Sequence, residues 1–233
     1  MTLQSLHDRH FDHGTILRQT RPPGFEIPNA ESCTVAELRD LVSDKGAQML
    51  VGGIRDGVFV PPLEPAGWPG AAREDALIHA RKIRTGDQQV DWLNWTWTEI
   101  SKRSRVLGPL WTTAGTAPHR SGDGHGLEQK RVILTSLAKV ERPRGFEGLS
   151  QTVGVPFVEG RAPFEQRQDG KGLYVFTRDG SLIRIQEMKV EGERVADGFR
   201  AALKARMVGS RTVRVGDGDY TLFHEGLGGV DRL

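Results

Sequence analysis

Near its start the chain gathers His7, His10, Asp12 and His13, and the last of the group is followed at once by Gly14. Imidazole and carboxylate are proton carriers and are also ligands for divalent metals. In an extended segment side chains alternate, so His10 and Asp12 share one face while His7 and His13 point to the other. A tight loop could converge them, but no further cluster in the sequence offers a fourth ligand. Asp and Gly are also turn formers. On residue types alone the polar turn is the preferred reading, and no metal is expected.

Other reactive groups are sparse. Cys33 is the single cysteine, so no internal disulfide can form, which fits a reducing compartment. No base is placed near it, and it is expected as a small buried apolar residue. His119 and His125 sit in the glycine-rich stretch 115–126, expected as a mobile surface loop. From Arg81 to Arg105, six Lys or Arg (81, 82, 84, 102, 103, 105) face three acids (87, 91, 99). Such a run is a solvated helix face and linker unless a polyanion is its partner. Trp92, Trp95 and Trp97 could stack on bases, but at least two are expected in the core.

The elements that must position these groups are signalled locally. The 233 residues are 37% hydrophobic and 27% charged, with a formal charge of +2. That balance is too small to identify a nucleic-acid partner by itself. No apolar run approaches the roughly 18 residues of a membrane span. MTLQSL and GTILRQT read as strands, and the proline-rich RPPGFEIP after them reads as a loop. Thr34-Val-Ala-Glu37 is a capping box leading into Val35, Leu38, Leu41 and Val42 at helical spacing. Gly46 is expected to break or kink that helix, with a further turn or two over 47–54 closed by Gly57. Residues 60–75 have the composition of a linker. Thr96-Trp-Thr-Glu99 is a second capping box, and Pro109 ends its helix. From Lys130 the period is two: RVILTSLAKV is a strand, LYVFT and SLIRIQEM flank an Asp179-Gly180 hairpin turn, VADGFRAALKARM is a short helix, and RTVRV with YTLFHEG is a second hairpin. Strands at this spacing fit a small antiparallel barrel of the OB type.

Several of these stretches, taken in order, resemble the methionyl-tRNA formyltransferase family. TLQSLHDRHFDHGTILRQT resembles its catalytic-domain segment, in which a strand leads into an Asp-x-Gly turn and a short apolar strand, here Asp12-His13-Gly14 and then Thr15-Ile16-Leu17. TVAELRDLVSDKGAQMLVGGIRDG is similar to the helix that closes that domain. HARKIRTGDQQVDW resembles the interdomain segment, with Lys82, Ile83, Asp91 and Trp92 at matching places. EISKRSRVLGPLWT is similar to the next helix, with Arg105 and Pro109 in register. The Leu-Tyr-Val hairpin resembles the C-terminal barrel. The likeness covers most of residues 1–205. It departs at a one-residue insertion in Leu93–Thr98, at the loop 115–126, and beyond residue 209.

The resemblance implies an α/β remnant of a Rossmann-like formyltransferase domain over 1–59, a linker over 60–90, and a C-terminal OB-like β-barrel that binds tRNA over 91–233, with an unmatched tail. It implies transfer of a formyl group from 10-formyltetrahydrofolate, with no metal, to the amino group of methionyl initiator tRNA. Asp12 then matches the catalytic Asp, which relays the proton that the attacking amine must lose. Gly14 allows close backbone approach at the substrate. Lys82, Lys102, Arg103 and Arg105 are the implied tRNA contacts, with Lys130, Arg131 and Lys139 behind them. The family pairs its Asp with an upstream Asn-x-His unit, which supplies oxyanion donors, and with an upstream folate loop. Met1 falls after both, so useful catalysis is not expected from residues 1–233 alone. An apolar face along Leu3, Ile16, Leu17, Leu38 and Leu41 is expected to be exposed.

Sugar-amine formyltransferases and a folate dehydrogenase module share the Asp-x-Gly segment; the helix and barrel after Asp91-Trp92 count against the dehydrogenase. A non-catalytic tRNA-binding fragment is the other reading. The looseness of the match and the insertion imply an organellar version, hence mitochondrion, with bacterial cytoplasm as the alternative; no membrane partner is expected, and a monomer is expected for the full-length form.

Overall fold

The computed structural model describes residues 1–10, 13–67, 81–118, 126–142, 153–160, 172–216 and 218–229. The chain divides into two compact units, 1–83 and 84–233. Its elements are mixed α/β, dominated by a curled antiparallel sheet in the second unit. His119 and His125, most of the loop 115–126, and residues 68–80 of the linker stretch lie outside the described residues.

In the first unit β1 (Thr2–Gln4) pairs antiparallel with β2 (Ile16–Gln19), Leu3 opposite Arg18. The helix α1 (Val35–Arg55) starts as the sequence signals. Thr34 Oγ1 accepts from the Glu37 amide, and the Glu37 carboxylate accepts from the Thr34 N–H at 2.7 Å. Those bonds, the backbone one foremost, hold the Glu37 carboxyl below its usual range. The expected break at Gly46 does not occur; α1 runs unbroken for 21 residues. An interior glycine costs only about 1 kcal/mol against alanine, and a side chain at Gly46 would meet nothing closer than Met1 Cε at 3.6 Å. Gly53 is the glycine with a packing role. It is the buried residue of α1, and a Cβ there would press to 2.9 Å from Leu3 Cδ2.

The expected apolar face is also corrected. Leu17 is buried, and Leu3, Ile16, Leu38 and Leu41 are half-buried. The reason is the stretch after α1. Val58 donates to the Gly53 carbonyl and Ala66 donates to Ile16 at 2.8 Å, so residues 57–67 fold back along β2. Among the described residues of this unit, the large apolar side chains left open are Leu6, Val35, Leu50, Val51, Ile54, Phe59, Val60 and Ile83. Cys33 is half-exposed rather than buried.

The second unit opens with a single 3-10 turn (Thr85–Gln88) and then α2 (Trp97–Leu107), followed by β3 (Leu110–Thr116), β4 (Glu128–Val140), β5 (Phe157–Glu159), β6 (Leu173–Phe176), β7 (Leu182–Val190), β8 (Ala196–Asp197), α3 (Gly198–Lys204), β9 (Val208–Val215) and β10 (Gly218–Phe223). The sheet order is β3-β4-β7-β6-β5-β10-β9, with β8 beside β7. Ala117, just past β3, donates to the carbonyl of Arg206, just ahead of β9. The curl therefore brings the ends of the two edge strands together. Inward side chains form one cluster around Trp92, Ile100, Leu134 and Ile185, and a smaller one around Phe157, Phe176 and Leu222. Trp92 is buried, and Trp95 and Trp97 pack half-buried against the first cluster. Gly115 and Thr116 are buried strand residues rather than the start of a loop, because Gly115 pairs with Gln129 across the long β3–β4 hairpin.

The Asp179-Gly180 turn joins β6 to β7 as the sequence signals, with Gly180 at φ 72°. Asp179 does more than turn the chain. Its carboxylate accepts from Thr177 Oγ1 at 2.6 Å, from Ser181 Oγ at 2.9 Å, and from the backbone N–H of Trp97 at 3.3 Å. That last amide is one of the donors a helix N-terminus leaves without an internal partner. Thr96 Oγ1 caps the amide of Glu99, but the Glu99 carboxylate turns to Arg103 and does not close the expected box. Burial raises the Asp179 pKa, but the bonds from Thr177, Ser181 and Trp97 outweigh it and leave the carboxyl below its ordinary value. A depressed carboxylate stabilises the fold above its unfolded pKa, and that contribution is lost as pH falls through the folded one. Asp179→Asn should lower stability by about 1 kcal/mol near neutrality, since the position is largely solvated. Urea melts should show the gap from wild type closing as pH drops below 3.8, the ordinary aspartate value.

Candidate functional site

Two places hold the residues that the sequence singles out. The first is the β1–β2 connection. Ser5 donates its N–H to the Thr15 carbonyl and receives the Thr15 N–H on its hydroxyl, each at 2.9 Å. These bonds draw the backbone of Gly14 against Ser5, where a Cβ would collide with the Ser5 carbonyl oxygen. A hydrogen side chain is thus required at Gly14 by the strand pair itself. Phe11 and Asp12 lie outside the described residues.

Between the strands the three imidazoles gather instead of alternating. Ring centroids of His7, His10 and His13 stand 5.2 to 6.1 Å apart. His7 Nδ1 accepts from the backbone N–H groups of Arg9 and His10, each at 3.2 Å, and this turns residues 7–10 tightly enough to bring the His7 and His10 rings together. Among the described residues no group of three His, Cys, Asp or Glu is arranged to hold a metal ion. An open cleft of about 360 Å³ runs along residues 4–10.

The second place is α2 and its approach. Lys82 is exposed in the first unit, and Lys102, Arg103 and Arg105 lie on α2 in the second. The three on α2 differ in what they can do. Lys102 is exposed. Arg103 bonds Glu99 at 2.7 Å and the Asp87 carbonyl at 3.3 Å, and its guanidinium sits 4.3 Å from the Trp95 ring centroid. It fastens the helix to the preceding turn. Arg105 is half-buried.

Sequence reasoning missed two neighbouring features. Arg131 stacks on Trp111, 4.3 Å from the ring centroid, while Trp111 Nε1 donates to the Thr85 carbonyl at 2.9 Å. The other is a cleft beside α2 that contains Asp91 and Trp95; the Asp-Trp pair at 91–92 was its visible signal. Away from α2, Tyr174 is pushed up to about 12, first by burial and then by the Glu159 carboxylate, and Tyr220 is raised by the same two causes. Both phenols stay protonated near neutrality and have a packing role against Phe157.

Two outcomes separate structural from accessible positions. Arg103→Ala should cost about 1–2 kcal/mol through loss of the stacked ion pair, whereas Lys102→Ala should leave the urea midpoint unchanged. Gly14→Ala should remove hydrogen-exchange protection at the Ser5 amide, read by mass spectrometry, because the Ser5–Thr15 approach must open to admit a methyl group.

No protein-family model matches the chain. Among curated proteins, the mitochondrial methionyl-tRNA formyltransferase of Saccharomyces cerevisiae is 28% identical to it over 223 residues, covering 88% of this chain and 52% of that protein. The chain thus spans about half the length of the relative it matches. What it shares with that protein is a distant similarity along most of its own length.

Proposed function

We propose that the chain serves formyl transfer to the amino group of methionyl initiator tRNA, with 10-formyltetrahydrofolate as donor, in translation initiation. The observation that carries this reading is the similarity to the yeast formyltransferase across 88% of the chain. The curled antiparallel sheet of the second unit supports an OB-like barrel over 91–233, and the strand pair with α1 supports a Rossmann-like remnant over 1–59, the two joined by a linker over 60–90. The tight Gly14 turn supports an Asp-x-Gly segment whose Asp12 accepts the proton released when the amine attacks the formyl carbon. Lys82 and Lys102, both exposed, contact tRNA phosphates with Arg105 behind them, while Arg103 holds α2 in place. The compartment in this reading is the mitochondrion, supported by the name of the yeast relative.

A second reading, tRNA binding without turnover, is favoured by where the packing lies. Both core clusters of the described residues fall in 84–233, so that unit has a hydrophobic core of its own on which a binding surface could be held. Gel-shift titration against initiator tRNA at two salt concentrations, run beside a formylation assay, separates the two. Binding should weaken with salt, and Lys102→Ala should reduce the slope by about one charge. Formyl transfer abolished by Asp12→Ala supports the enzyme; binding with no transfer by the wild-type chain supports the second reading; absence of binding at low salt overturns both.

A further inference from the structure

Between β1 and β2 one imidazole nitrogen has more neighbours than it can bond at once. His7 Nδ1 lies 3.2 Å from the backbone N of Arg9, 3.2 Å from the backbone N of His10 and 3.2 Å from Asp8 Oδ1. The first two are donors and the third is an acceptor. A neutral ring with its proton on Nε2 offers Nδ1 as a lone pair and accepts both amides, which turns residues 7–10. The Asp8 oxygen then faces that lone pair and gains no bond. A protonated ring carries a hydrogen on Nδ1. It donates to Asp8 as a charge-assisted bond and no longer receives the amides. One proton therefore exchanges one set of partners for the other.

The surroundings reinforce this exchange. Among the described residues, the titratable and charged groups against His7 are Asp8, His10 and His13, and Arg9 stands behind Asp8 with its Nε 3.5 Å from Oδ2. The His10 and His13 ring centroids are 5.5 and 6.1 Å from that of His7, and 5.2 Å from each other. At that spacing imidazolium rings repel, so acid works against the gathered rings as well as against the turn. His7 is exposed, so protons reach it freely and water takes up the two amides on their release. The flanking strand pair has no such dependence. Ser5 and Thr15 are joined by an amide-to-carbonyl bond and by the Ser5 hydroxyl, neither of which titrates in this range.

We propose that residues 7–10 form a proton-operated switch, closed while neutral His7 accepts the Arg9 and His10 amides and opened when His7 Nδ1 takes a proton and turns to Asp8. Opening parts the His7 and His10 rings while the Ser5–Thr15 pairing holds. Imidazole changes charge between about pH 5 and 8, so the switch works across physiological pH. The proposal stands on the geometry of the loop and not on the formyl-transfer reading. It gives the connection that carries Asp12 a second, pH-dependent arrangement.

The test is NMR on the isotope-labelled full chain from about pH 8 to about pH 5. Three quantities are followed: the cross-peak between the His7 and His10 rings, exchange protection at the Arg9 and His10 amides relative to the unstructured rate at each pH, and the same protection at the Ser5 amide. The cross-peak and the Arg9 and His10 protection should be present at the upper pH. Both should disappear along the curve on which the His7 ring protons titrate, with Ser5 unchanged. His7→Asn isolates the cause, because an asparagine carbonyl accepts from amides two or three positions on and does not titrate. This variant should keep Arg9 and His10 protected at both ends of the range, and His7→Ala should leave them unprotected throughout. Loss of that protection in His7→Asn at low pH, titration of the His7 ring with the cross-peak retained, or loss of Ser5 protection together with that of Arg9 overturns the proposal.

Discussion

A single carboxylate ties the two halves of the second unit's architecture together. Asp179 sits in a hairpin turn, 82 residues along the chain from the helix whose first amide it receives. A turn residue normally satisfies its own loop, and Asp179 does so through Thr177 and Ser181. The bond to Trp97 makes the same oxygen part of a helix N-terminus, a position where negative charge is favoured by the helix dipole. Arg142 grips the far side of the turn through the Gly180 carbonyl at 2.6 Å and lies over the Phe176 ring. The helix, the turn and the β6–β7 hairpin are therefore positioned as one assembly. Trp95 and Arg103 inherit their placement from it, and so does the cleft that Trp95 lines.

The two units draw stability from different sources. In residues 84–233 the sheet buries both clusters of large side chains, and the buried Trp92 donates its indole N–H to Thr112 Oγ1 at 3.1 Å, so the bulkiest core residue leaves no polar group unsatisfied. The first unit relies on short strands, a well-capped helix and a returning segment. Its close fits are made by glycines, Gly14 against Ser5 and Gly53 against Leu3. Close backbone approach replaces the side-chain interlock that a larger core would provide.

Local chemistry was legible in the sequence and pairing at a distance was not. The Thr34 cap, the Asp179-Gly180 turn and the two hairpins follow from residue types within a few positions of one another, and the structure has them. The errors came where a distant segment decides the outcome. Gly46 is the exception: it reads as a breaker, yet one interior glycine costs only about 1 kcal/mol and does not end a well-capped helix. Gly115 and Thr116 read as loop because their partners Gln129 and Glu128 lie beyond an intervening glycine-rich stretch. Leu17 reads as exposed because nothing in residues 57–67 announces that they return to β2. At the candidate site the same division holds: the basic residues of α2 were visible as a charge run, but only the fold distinguishes Arg103, committed to Glu99 and Trp95, from Lys102, which faces water.

The open side chains at the end of α1 affect how the protein is handled in the laboratory. Leu50, Val51 and Ile54 follow one another at helical spacing and Val60 lies just beyond, each at least 44% exposed. A surface of this kind adheres to phenyl resin and to detergent micelles, and it promotes clumping as ammonium sulfate is raised. Purification of the chain therefore calls for low ionic strength and dilute stocks, the opposite of what its modest formal charge would recommend.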